Sequence, residues 1–327
     1  MSILVTGAAG FIGYHVSLAL LDKGENVVGI DNLNDYYEVT LKSARLARLT
    51  PNPGFVFHRL DIADRAALDA ALMSRPDIDR VVHLAAQPGV RYSLINPYAY
   101  LHSNIEAHVV LLEACRRLPR LVHFVYASSS SVYGANRKLP FSVNDRTDHP
   151  VSLYGATKKA MEVISHAYAA TWKLPLTGLR FFTVYGPWGR PDMAPILFAR
   201  AISAGEPIPV FNYGEMRRDF TYIDDIVAGV VACLDRPPTG EGGTAPHRLY
   251  NLGNHRSEAL MDFIAALEQA LGKKAKLDLK PMQPGDVPAT YADIEDSTRD
   301  LGFRPTVSIA DGVPRFIAWY RDYYAAA

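Results

Sequence analysis

Residues 3–31 constrain this chain more than any other stretch. Ile3-Leu4-Val5 is a short apolar run of the kind that a strand buried on both faces needs. Thr6-Gly7-Ala8-Ala9-Gly10-Phe11-Ile12-Gly13 follows directly, and His15 to Lys23 then reads as a helix stopped by Gly24. Asn26-Val27-Val28-Gly29-Ile30 is a second strand, closed by Asp31. Strand, glycine turn, helix, strand and acid, in that order, open a dinucleotide-binding unit. The glycines allow a tight turn and let a pyrophosphate approach the helix N-terminus. Asp31 stands 24 positions after Gly7. An acid there holds the adenosine ribose hydroxyls and repels a 2′-phosphate, which predicts NAD rather than NADP.

Strands and helices keep alternating after this opening. Phe55–Asp61 is a third strand ending in an acid, and Ala66–Met73 a short helix. Arg80–Ala86 is a fourth strand that runs into small residues, with His83 read as a core histidine. Asn96-Pro97 opens a long helix to Arg117, and Leu121–Ala127 is a fifth strand. That strand delivers Ser128-Ser129-Ser130-Ser131 to the edge where open α/β sheets bind their ligands. The fold class is therefore α/β, a doubly wound parallel sheet.

Tyr154-Gly155-Ala156-Thr157-Lys158 opens a helix expected over 153–172. Residues 154 and 158 are one turn apart and share a face. An ammonium beside a phenol favours phenolate and makes a general base. Alone, this spacing is packing plus a solvated charge; the serine-bearing strand end is what gives it meaning. Beyond residue 178 the chain is richer in Pro, Gly and loops. A Rossmann domain of 1–178 and about 219–253 is expected to interleave with a smaller α/β substrate domain of about 179–218 and 254–327. In the latter, Ser257 is a candidate cap for a helix with Phe263, Ile264, Leu267 and Leu271 inward. Ser308 and Asp311 form a candidate capping box, and Tyr323-Tyr324 is expected at the surface.

The 34 basic residues equal the 34 acidic ones, which argues against nucleic acid or an anionic membrane as partner. Cys115 and Cys233 stand alone, without metal-ligand spacing, so no metal is expected. No apolar run approaches the roughly 20 residues of a membrane span, and no basic region precedes the first apolar run. A cytoplasmic enzyme is the expectation.

These residues together resemble the extended short-chain dehydrogenase/reductase family over essentially the whole chain. The resemblance rests on Thr6–Gly13, Leu84-Ala85-Ala86, the serine run before Val132-Tyr133-Gly134, and Tyr154 with Lys158. Within that family the chain is most similar to the UDP-glucuronate 4-epimerases. Gln87–Ser93, Arg180–Met193, Asp219–Asp225 and Gln283–Val287 carry this likeness, and 180–193 is the most specific. Pro88 stands where a small residue is expected, and Gly155 where alanine is common.

The resemblance implies a triad of Ser129, Tyr154 and Lys158. It implies NAD along Gly7, Gly10, Phe11, Ile12, Gly13, Asp31, Asn32, Asp61, Ile62, Ala85, Gln87 and Asn104, with Tyr154, Lys158 and Tyr185 near the nicotinamide end. From its place in the helix alone, Asn104 reads either as polar decoration or as a buried amide that braces the active-site backbone. Arg91, Ser130, Ser131, Thr183 and Arg190 would surround a sugar acid beside Ser129. Arg218 and Asp286 would meet UDP, with Arg217 competing for Arg218's place. The implied reaction is transient oxidation at the sugar C4 by tightly held NAD, linking UDP-glucuronate and UDP-galacturonate. A homodimer through 97–117 and 153–172 is the family expectation. The alternatives are a UDP-glucose 4-epimerase, and behind it a UDP-glucuronate decarboxylase, which is expected to carry Glu where this chain has Ser130. A cofactor-binding regulator is disfavoured because Ser129, Tyr154 and Lys158 are all present.

Overall fold

The computed structural model describes residues 1–283 and 285–325. Pro284, inside the 283–287 stretch, lies outside the described residues. The first unit is β1 (Ser2–Thr6), α1 (Phe11–Asp22) and β2 (Asn26–Asp31). Helix α1 starts four residues earlier than the sequence suggests, so Phe11, Ile12 and Gly13 form its first turn. An amphipathic helix that the sequence reading passed over follows, α2 (Val39–Leu49). Then come β3 (Phe55–Arg59), α3 (Arg65–Met73) and β4 (Ile78–His83). Leu84-Ala85-Ala86 lies past the end of β4 rather than within it.

The expected helix over 97–117 is three pieces. Asn96 caps α4 (Pro97–Tyr100), Leu101–Glu106 is a π-helical segment, and α5 (Ala107–Cys115) completes the run. Strand β5 (His123–Ser129) carries Ser128 and Ser129 as its last residues, two further than expected. Ser130–Tyr133 is a 3₁₀ turn. Helix α6 (Leu153–Trp172) matches its expected bounds, with the Ser152 side chain accepting from the Gly155 amide at 3.0 Å.

The second half supplies β6 (Leu176–Phe181), β7 (Thr183–Tyr185), α7 (Ala194–Ala204) and β8 (Pro207–Phe211). β9 (Arg217–Arg218), β10 (Phe220–Tyr222), α8 (Ile223–Leu234) and β11 (His247–Leu252) follow. The chain ends with β12 (Glu258–Ala259), α9 (Leu260–Leu271), β13 (Lys276–Lys280), α10 (Glu295–Leu301) and α11 (Ile309–Ala325).

Seven strands form one parallel sheet in the order β11-β6-β5-β4-β1-β2-β3. Side chains alternate across it. Ile3 and Val5 enter one core and Leu4 the other; Val82 and Val81 divide the same way. The chain reverses direction across the sheet between β1 and β4, which sets a crevice at their C-terminal ends. Three two-stranded sheets, β7 with β10, β8 with β13 and β9 with β12, stand apart from the main one.

Some caps differ from expectation. Ser257 does not cap α9; its hydroxyl accepts from Arg217 Nε at 3.1 Å. Ser308 and Asp311 do form the start of α11, with the Asp311 amide donating to Ser308 Oγ at 3.2 Å. Tyr323 and Tyr324 are half-buried, against Trp188 in the loop after β7 and Glu38 at the start of α2.

Candidate active site

The crevice is a cleft of about 830 Å³ in which the two halves of the site face each other. One end is the β1–α1 turn. Gly7 takes φ +72°, and a Cβ there would lie 2.8 Å from Ala85 N, so only glycine lets the turn sit against the end of β4. Gly10 precedes α1 without a side-chain cap, which leaves the first-turn amides free to meet an anion. Asp31 closes β2 and accepts from the Ala9 amide at 3.1 Å and the Leu33 amide at 2.8 Å. Burial pushes its carboxyl up from the ordinary value, and the two amides work against that. Asn32 donates to Asp61 at 3.1 Å. Gly7, Gly10, Phe11, Ile12 and Gly13 line this end with Asp31, Asn32, Asp61 and Ile62, as do Ala85 and Gln87. Free amides for a pyrophosphate and an acid for a ribose fit NAD.

Two expected cofactor contacts are not on the cleft wall. Asn104 is fully buried behind it. Its Oδ1 accepts from the Gln87 amide at 2.8 Å, and its Nδ2 donates to Gln87 O at 3.1 Å and Thr157 Oγ1 at 3.0 Å. The π-helical segment aims this amide inward, so Asn104 ties the β4 end to the Tyr154 helix and has no donor left over. Tyr185 lies two residues deeper than Thr183 in β7. Its ring packs on Phe220, Tyr222 and Phe263, and its hydroxyl donates to Ser308 O at 3.2 Å. That aromatic cluster removes it from the nicotinamide end.

Helix α6 sets Tyr154 and Lys158 on the cleft opposite Ser129 at the end of β5. In the free protein the phenol is not acidified as the sequence suggests. Burial raises its pKa, and the Ser129 hydroxyl and the Arg190 charge oppose that. Lys158 is itself brought down to about 7 by burial, and its Nζ donates to Ala127 O at 2.9 Å. A lysine so depressed carries its positive charge only part of the time at neutral pH. His83 is buried as expected, with Nδ1 2.7 Å from Thr6 Oγ1, yet its Nε2 has no protein partner.

The other wall holds Ser130, Ser131, Thr183 and Arg190. Arg190 is paired with Asp192, which the sequence reading did not single out. Arg91 is separate from that group. It stacks over Phe211 with 4.5 Å to the ring centroid and pairs with Asp286 at 3.3 Å. Arg218 lines the same end, while Arg217 turns away to Ser257. Phe211, Tyr36 and Lys42 also line the cleft and were missed. Tyr36 and Lys42 lie in a stretch to which the sequence reading assigned no element.

A model of the NAD dependent epimerase/dehydratase family matches residues 3–253. The chain belongs to that family. Among its relatives, UDP-glucuronate 4-epimerase 3 of Arabidopsis thaliana is 50% identical, over 99% of this chain and 77% of the plant protein. The probable UDP-glucuronate 4-epimerase of Rhizobium meliloti is 46% identical, over 100% of this chain and 99% of that one. The crystal structure of UDP-glucuronic acid 4-epimerase from Bacillus cereus, in complex with UDP-glucuronic acid and NAD, superposes with a TM-score of 0.91 at 38% identity. It covers 99% of this chain and all of the other. The family is NAD-dependent, in accord with the donors and the acid at the β1–α1 end.

Proposed function

We propose that this enzyme interconverts UDP-glucuronate and UDP-galacturonate by epimerisation at C4. The observation that carries the reading is the pairing, across one cleft, of Tyr154 and Ser129 with three further hydroxyls and the guanidinium of Arg190. NAD, when bound, supplies the two-electron acceptor and donor at C4. Tyr154 takes the proton of the C4 hydroxyl and later returns it. Ser129 holds that oxygen by a hydrogen bond, and Lys158 fixes the base's surroundings from beneath. The sugar turns over between the two transfers. Ser130, Ser131, Thr183 and Arg190 hold the acid group of the sugar, and Arg218, Arg91 and Asp286 hold UDP, with Phe211 beneath the base.

A carboxylate beside a C4 ketone is a β-keto acid, prone to lose CO₂. Fixed donors on that carboxylate keep its bond away from the alignment that expels it. Ser130 in place of a glutamate supports epimerisation over decarboxylation. The reading further includes a homodimer, a cytoplasmic setting and the two interleaved domains expected from the sequence. Among the described residues no helix is long and apolar enough to cross a membrane.

Incubation with UDP-glucuronate, without added reductant, should give UDP-galacturonate by chromatography. Turnover of UDP-glucose alone would replace this reading with a neutral-sugar epimerase, and pentose with CO₂ as main product would replace it with a decarboxylase.

A further inference from the structure

The guanidinium of Arg190 is half committed before any sugar arrives. Its Nε donates to Asp192 Oδ1 at 3.1 Å and its Nη2 to Oδ2 at 2.6 Å. These bonds use the side edge of the fork. The end edge, Nη1 with the outer N–H of Nη2, remains, and Nη1 has no protein partner among the described residues. Asp192 is held in turn by the Tyr36 hydroxyl, which donates to Oδ2 at 3.0 Å. Burial pushes the Tyr36 phenol up to about 12, with Asp192 adding to it, so it stays a donor. Its ring is seated 4.8 Å from that of Tyr92. The loop beneath is clamped as well. Buried Arg45 donates to Trp188 O at 2.7 Å, Gly189 O at 3.0 Å and Ala9 O at 2.9 Å. Neither the root of Arg190 nor its side edge is free to turn.

We propose that Asp192, held by Tyr36, is a positioning residue that aims the end edge of Arg190 at the acid group of the sugar, and so keeps CO₂ from leaving. This rests on the substrate reading given above. Asp192 cannot serve attraction, because its charge cancels that of Arg190 and repels a second carboxylate nearby. What it adds is direction. An arginine left alone keeps its rotamer freedom and sweeps a wide arc. A fixed fork instead binds a carboxylate by two parallel bonds and sets its plane. The plane matters at the 4-keto stage. If the bond from C5 to the carboxylate stands perpendicular to the carbonyl plane, it breaks. Its electron pair enters the carbonyl as an enolate, CO₂ departs, a proton is added at C5, and return to C4 of the hydride removed earlier turns the keto sugar into the pentose.

The test is made on full-length, NAD-loaded enzyme supplied with UDP-glucuronate, with epimer, UDP-pentose and CO₂ all quantified. Asp192→Asn removes the charge, so KM should not rise, while the pentose-to-epimer ratio rises about tenfold as the fork loosens. Tyr36→Phe keeps both charges and should raise the ratio by a smaller factor, and it serves where Asp192→Asn fails to fold. A ratio unchanged in both variants overturns the proposal. So does a lower kcat with raised KM and no extra pentose, which is the mark of a merely structural role. Absence of epimer from the wild-type enzyme overturns the substrate reading, and this proposal with it; the wild-type control thus separates the two failures.

Discussion

At the scale of single residues the site is set by burial more than by charge. Tyr154 and Lys158 are one turn apart, as their spacing requires, yet the lysine does not pull the phenol's pKa down in the free protein. The spacing told where the two groups stand; it could not tell how dry the place is. Tyr154→Phe removes the proton acceptor and leaves the β1–α1 end intact. Turnover should fall at least about 10²–10⁴-fold with NAD still bound, read from product and from the absorbance of the purified protein; full activity would remove Tyr154 as the base. Lys158 has its own signature. Its folded pKa is about 7 against 10.5 when exposed. The unfolded chain therefore holds the extra proton between those values, and the fold gains stability as pH rises through that window. Below about 7 both states are charged and the burden of the buried ammonium is complete. Lys158→Met should thus stabilise the cofactor-free protein most at pH 7 and below. The advantage should shrink by about 1.4 kcal/mol per pH unit towards 10.5 in chemical denaturation. A constant difference across that range would mean that the lysine is charged throughout.

At the scale of elements, the tie between α6 and β5 decides whether the base faces Ser129. Glu162 of α6 accepts from Arg180 Nε at 2.8 Å and Nη2 at 2.9 Å, and from Ser128 Oγ at 2.7 Å. Arg180 reaches on to the Tyr133 hydroxyl at 3.0 Å, and that hydroxyl donates to Asn251 at 2.6 Å. Both charged side chains are 2% exposed. Arg180→Met strands a buried carboxylate and should cost about 3–5 kcal/mol, read as a shifted urea midpoint. Adding Glu162→Gln should recover most of that loss; if it adds further loss, the pair is not the origin. Elements with one apolar character throughout, such as β1, β2 and β5, were legible because burial on both faces leaves no other reading. Helix α2 was not, although Leu41, Leu46 and Leu49 mark one face. Its buried Lys42 and Arg45 look like surface residues until the loops that they hold are known. The π-helical segment was equally hidden. Its sequence is helical in every respect, and only the three bonds of Asn104 reveal why the extra residue is there.

At the scale of the whole molecule, the cleft was legible in outline because its anchors are rigid: a glycine turn, a strand end and a helix start. The substrate wall was less so, since Arg91, Arg218 and Asp286 come from loops and short strands whose pairing no local pattern encodes. The outer surface raises a further question. Leu94, Ile95, Tyr98 and Leu101 stand exposed along the start of the α4 segment, and Val163 and Trp172 along α6. Ile95 and Tyr98 are more than three-quarters exposed. The two segments pack side by side, so a second copy brought up by a two-fold axis would cover both at once. Covering these side chains in both copies takes a contiguous apolar surface out of water, which is the driving force for association. The enzyme should therefore sediment at twice the chain mass at micromolar concentration. Tyr98→Asp with Val163→Asp should return it to one chain mass. Because Asn104 and Tyr154 sit on the inner faces of the same helices, activity should fall in step with dissociation. A double variant that stays dimeric would move the interface elsewhere, and a wild-type monomer would leave these side chains without the partner argued for them.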